Sequence, residues 1–214
     1  MRKLLLAAVL GSALATPGMA QERFPRLTPE QMTPDQRALA AAIQGGARAS
    51  VPGRDNSIGG PFNVWLRSPA VGDQLQQLGV QLRFHSSIPA ALNEFAILIT
   101  AREWSSQYEW FAHHRLAMAA GLPASVAADL AQGRRPEGMN EDQRLVYEFC
   151  TEMHRNHFVS DATFAATKAR FGEQGVVDLI AVSGYYVAVS MTLNVGRAAL
   201  PDGVAPPLPD LPRR

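Results

Sequence analysis

The chain has 214 residues, 47% hydrophobic and 18% charged. That suits one folded domain with a sizeable core and excludes intrinsic disorder, a collagen-like repeat and a disulfide-rich scaffold. One cysteine, Cys150, excludes sites built from several thiolates of one chain. The 20 basic and 19 acidic residues give no concentrated basic face for nucleic acid.

Residues 1–20 read as a secretory signal. Arg2-Lys3 is a positive n-region, Leu4 to Leu14 an apolar core too short to span a bilayer, and Gly18-Met19-Ala20 a small-residue cleavage site before Gln21. The rival reading is an uncleaved anchor. Export to the periplasm or the exterior is the expectation, and a single cysteine then forms no internal disulfide. Without Arg2 and Lys3 the chain holds 18 basic and 19 acidic residues. No later stretch reads as long and apolar enough to span a membrane.

Residues 21–60 read as an arm, a short helix and a loop. Thr33 caps a helix over about 34–44, with Pro34 at its first position. Gly45 to Gly60 is a long loop containing Arg54, and long ordered loops are often functional. Gly59 to Leu66 then combines turn residues with Phe62 and Trp65.

Residues 61–200 read as a helical domain. Ser68-Pro69 opens a helix to about Arg83, Pro89 begins an apolar one, and a third runs from about Ser106 to Ala120. A short helix spans Ala124 to Gln132. Asn140 caps the next, with Gln143 at the capping-box position. Ser160 or Asp161 caps another that ends near Gly172, and the last spans about Gly175 to Ala199. Residues 201–214 form a tail with five prolines that is not expected to be regular. With no alternating strand pattern, the fold class is all-α.

Leu92 to Gly121 is the stretch most suited to chemistry. Glu94 sits among apolar residues, where a carboxylate must be paired, hydrogen-bonded or neutral. Glu109 and His113 are four apart on one helical face, so the carboxylate can orient the imidazole and raise its basicity. Ser106-x-x-Glu109 also fits a capping box, a role compatible with the first. His114 reads as structural, and Arg102 and Glu103 as a solvated face or an intersubunit pair. His154-x-x-His157, with Glu152 near, has no third ligand at matching spacing, so no metal is expected there. Two lysines against many arginines reads as compositional bias, although arginine is the better fork for a carboxylate. Tyr185, Tyr186 and Trp65 read as core or as pocket lining.

The frame Glu94, eleven residues, Ser106, two residues, Glu109, three residues, His113 resembles the carboxymuconolactone decarboxylase family, which includes the alkylhydroperoxidase-like proteins. The hydroperoxidase branch carries cysteines where this chain has Ser106 and Glu109. Gly60 to Leu66, Leu82 to His85, Tyr108-Glu109-Trp110, Phe171-Gly172, Gly184-Tyr185-Tyr186 and Thr192-Leu193-Asn194 look like a cysteine-free, Tyr-Glu-Trp-bearing branch. The resemblance spans roughly residues 30–203. It implies an alkylhydroperoxidase-like helical bundle, a homo-trimer or homo-hexamer, and pockets near subunit interfaces that Phe62 or Trp65 could serve.

The resemblance implies a cofactor-independent carboxy-lyase acting on a small carboxylated lactone or ring acid. Glu94, Glu109 and His113 are then the catalytic candidates. Tyr108, Arg83, His85, Asn63 and Trp65 are the substrate-binding candidates, with Arg83 on the carboxylate. Thiol peroxidase chemistry needs an attacking and a resolving thiol, which serine and glutamate cannot supply. The alternatives are a lactone isomerase or hydrolase on the same site, or an exported binding protein for small organic acids. Export separates this chain from cytosolic catabolic relatives.

Overall fold

The structure is a computed structural model that describes residues 21–47 and 58–211. The leader, Arg54 and most of the 45–60 loop lie outside the described residues.

Every described element is helical: a 3-10 turn, Pro29–Gln31, then α1 (Pro34–Gly45), α2 (Pro61–Trp65), α3 (Pro69–Phe84), α4 (Ala90–Glu103), α5 (Gln107–Ala119), α6 (Ala124–Ala131), α7 (Glu141–Asn156) and α8 (Asp161–Gly196). Local signals set most starts. Pro34, Pro61 and Pro69 each stand at a first helical position, where no N–H is needed. Reciprocal capping boxes close α1 through Thr33 and Gln36, and α7 through Asn140 and Gln143. The Gly59 to Leu66 segment, singled out for its turn residues and two aromatics, contains α2, and the 3-10 turn interrupts the expected arm.

α4 is the axis. Every residue from Leu92 to Arg102 is buried, so no face of it meets water. α5, α7 and α8 pack around it. A second, smaller cluster of Leu39, Ala40, Ile43 and Leu66 seats α1 against the bundle.

Two expected helices join into α8, with one break at Gly172 (φ 71°, ψ 179°). This corrects the expectation that no later stretch is apolar enough to cross a membrane. By length and composition α8 is, with mean hydropathy 1.7 in its most apolar window, half of it buried in the fold. Its apolar character follows from packing against α4, α7, α2 and α3.

Both ends of the described chain are fastened. Arg23 N donates to the Gly196 carbonyl at 2.9 Å, and Ala199 N to Glu22 Oε1 at 2.9 Å. The tail is irregular, as expected, yet Leu208 is buried and Gln107 brackets its backbone on both sides, at 2.8 and 2.9 Å.

Candidate functional site

α4 and α5 are antiparallel neighbours joined by a tight turn in which Ser105 takes φ 46°. This turn carries Glu94 back to the level of α5. Glu94 Oε2 lies 2.6 Å from His113 Nδ1, and Glu109 Oε1 lies 3.1 Å from His113 Nε2. The three residues are 9%, 6% and 3% exposed in the order Glu94, His113, Glu109. Burial alone would disfavour a charged imidazole. Glu94 and then Glu109 outweigh it, by charge and by hydrogen bonding, and raise His113 to about 9. Two acidic side chains thus flank one imidazole and favour its protonated form.

Ser106 does not cap α5 with its side chain, and its buried Oγ has no partner among the described residues. Glu109 turns instead to His113. The capping-box reading is therefore corrected: the local bond loses to a buried ionic one.

A wall of aromatic rings flanks the imidazole. The Tyr186 ring stands edge-on to His113 with centroids 5.0 Å apart, and Tyr185 stands edge-on to Tyr186 at 5.1 Å. Trp65 meets Tyr185 at 6.3 Å and Phe62 at 5.4 Å. Trp65 Nε1 donates to Thr192 Oγ1 at 3.2 Å, so its polar edge is committed to α8. Burial pushes the Tyr186 phenol well above its usual range. Arg83 opposes this shift, while Glu109, Glu94 and Tyr185 add to it.

Arg83 is half-buried at the end of α3, with its guanidinium over Phe84, and its buried Nε has no hydrogen-bond partner among the described residues. Tyr108 is half-buried beside Gly60. A Cβ on Gly60, whose φ is 57°, would come within 2.8 Å of the Tyr108 ring, so only glycine fits this turn.

Two substrate-binding candidates stand elsewhere. Asn63 is spent on the N-terminal arm: its Nδ2 donates to the Phe24 carbonyl at 2.6 Å and its Oδ1 accepts from Arg67 at 3.3 Å. His85 is exposed at the C-cap of α3, and no contact joins it to the trio. Sequence reasoning assigned Tyr186 no role beyond core or lining. Its adjacency to Tyr185 was visible, but its meeting with His113 was not.

The remaining expectations resolve by geometry. Arg102 is no solvated face. It is 4% exposed and donates to the Ala131 carbonyl at 3.1 Å, the Pro209 carbonyl at 3.0 Å and Ser105 Oγ at 2.7 Å. His154 Nε2 meets Thr100 Oγ1 at 3.0 Å, and burial lowers its affinity for a proton, with Glu103 opposing. His157 lies past the end of α7 at φ 64°, which breaks the register that would align the two imidazoles. Among the described residues no group of three or more His, Cys, Asp or Glu is placed to hold a metal. Cys150 lies on α7, fully buried, with its thiol pushed up to about 12 by burial against a weak contact to Ser183 at 3.6 Å.

No protein-family model and no curated protein sequence matches this chain. Among solved structures, the chain is similar to an uncharacterized peroxidase-related protein from Silicibacter sp. TM1040, with a TM-score of 0.64 and 14% identity over 88% of this chain and 95% of that one. The likeness is one of fold: the two chains share an all-helical architecture.

Proposed function

We propose that the chain is a cofactor-independent carboxy-lyase acting on a small carboxylated lactone. The observation that carries this reading is the His113 ring held between Glu94 and Glu109 at 2.6 and 3.1 Å, a setting that favours its protonated form. A group that keeps its proton to about pH 9 is a donor at neutral pH. Decarboxylation needs that donor. The C–C bond to the leaving carboxylate breaks, CO2 departs, and the electron pair passes through the ring to the lactone carbonyl oxygen. A proton from His113 then forms the new C–H bond, and solvent restores the imidazolium. An isomerase or hydrolase acting through His113 would need the neutral base instead. Thiol peroxidation finds no support in Cys150, whose thiolate is disfavoured by burial.

Arg83 supports the substrate class, because its charge offsets the excess negative charge of the trio and lets an anion approach. Self-association and export belong to the same proposal. The exposed Val177, Ile180, Met191 and Val195 on α8 support the first; the Arg2 to Ala20 sequence pattern supports the second.

The test incubates the chain from Gln21 with 4-carboxymuconolactone and measures CO2 release and product mass. His113→Gln retains a hydrogen-bonding side chain but cannot deliver the proton, so turnover is expected to fall by about a thousandfold. No CO2 from the unmodified chain sinks the substrate reading, and equal release from both sinks the assignment of His113.

A further inference from the structure

Tyr186 is 2% exposed, and its ring stands edge-on to His113 at 5.0 Å and to Tyr185 at 5.1 Å between centroids. The ring stands against His113, the proton donor, and its phenol lies within the fields of Arg83, Glu109 and Glu94. The neighbouring Arg83 has a buried Nε without a partner among the described residues. A neutral phenol against His113 and a cationic guanidinium that acts on that phenol thus lie beside the trio. The phenol holds its proton firmly, because burial and two carboxylates oppose its ionisation. It is therefore a hydrogen-bond donor and not a base.

Resting on the lactone reading above, we propose that Tyr186 donates a hydrogen bond to the lactone carbonyl oxygen of the bound substrate while Arg83 holds its carboxylate. The carbonyl oxygen gains charge when the C–C bond breaks and loses it when His113 protonates carbon. Tyr186 keeps its own proton throughout. A donor fixed where charge develops lowers the barrier more than it tightens substrate binding.

The probe is 5-oxotetrahydrofuran-2-carboxylate, a saturated lactone acid that carries the carbonyl and the carboxylate but cannot form the unsaturated enolate. Binding is followed by calorimetry and by the infrared band of the lactone carbonyl. In Tyr186→Phe the bound carbonyl band is expected at higher frequency than in the unmodified chain, with binding about fivefold weaker. Arg83→Gln weakens binding but leaves the band in place. Thermal denaturation of Tyr186→Phe is expected to stay close to the parent, since phenylalanine keeps the ring and its packing. With 4-carboxymuconolactone, Tyr186→Phe lowers kcat by about a hundredfold with little change in KM. An identical carbonyl band in the two proteins, or no binding of the probe to the unmodified chain, overturns the proposal. The two readings fail separately. A band shift without turnover leaves the Tyr186 donor standing and removes the lyase, whereas turnover indifferent to Tyr186→Phe does the reverse.

Discussion

α4 buries a charge near each of its ends, and the two ends treat it differently. At the C-terminal end Arg102 spends its guanidinium on two carbonyls and a hydroxyl, tying α6 and the tail to the bundle. At the N-terminal end Glu94 meets a titratable partner, His113, which meets a second carboxylate in turn. Backbone acceptors do not change state, so the Arg102 end is a clamp. A carboxylate–imidazole–carboxylate chain shares protons among its members, so the Glu94 end is chemical. A buried charge therefore says little until its partners are known. Fixed dipoles around it point to structure, and partners that exchange protons with it point to a reaction.

The difference predicts a pH dependence at one end only. His113 has its proton affinity raised from 6.5 to about 9 in the folded chain. A raised value means that the folded state binds the proton more tightly than the unfolded state. The resulting stabilisation is full below pH 6.5 and is lost as pH rises through about 9. Its size is about 3 kcal/mol by linkage, as an order of magnitude. Urea denaturation from pH 6 to pH 10 measures it. The slope between those limits is expected to flatten in His113→Gln and to persist in Arg102→Met. An unchanged slope in His113→Gln would show that the trio does not carry the excess proton.

Arg102→Met sharpens the same comparison at the clamp. Methionine keeps much of the volume and removes the donors, leaving the Ala131 and Pro209 carbonyls unpaired. The loss is expected to be about 1–3 kcal/mol, with faster proteolysis beyond Pro201. Turnover of the lactone acid should stay within about twofold of the parent, since no bond joins Arg102 to the trio. A variant that folds normally but loses turnover would mean that the clamp also shapes the site.

Much of this was legible in the sequence because its signals are local. Pro34, Pro69 and the Asn140/Gln143 box announce their helices within four residues. The approach of Glu109 to His113 follows from helical spacing, and the need for a partner at Glu94 follows from the apolar text around it. The meetings that were not legible join distant parts of the chain. Arg102 reaches Pro209, Asn63 reaches Phe24, and His113 meets Tyr186. Each depends on how whole helices cross, which no spacing rule reads. Gly172 misled in another way. Its left-handed φ breaks α8 for a single residue, so a glycine that reads as an end is a joint.

Asn140→Ala is the smallest expected effect and tests whether local and long-range devices are independent. The Asn140 side chain accepts from Gln143 N at 2.9 Å, and the Gln143 side chain accepts from Asn140 N at 2.9 Å. Alanine removes the first bond and uncaps α7, at a cost of about 1 kcal/mol. α7 packs directly on α4, so a frayed first turn lowers the stability of the whole bundle. It changes no group that titrates with His113. Chemical denaturation should thus show the same loss at pH 6 and at pH 9, a displaced curve of unaltered slope. A loss that grows with pH would couple the cap to the trio through α4 and would dissolve the division between clamp and reactive end.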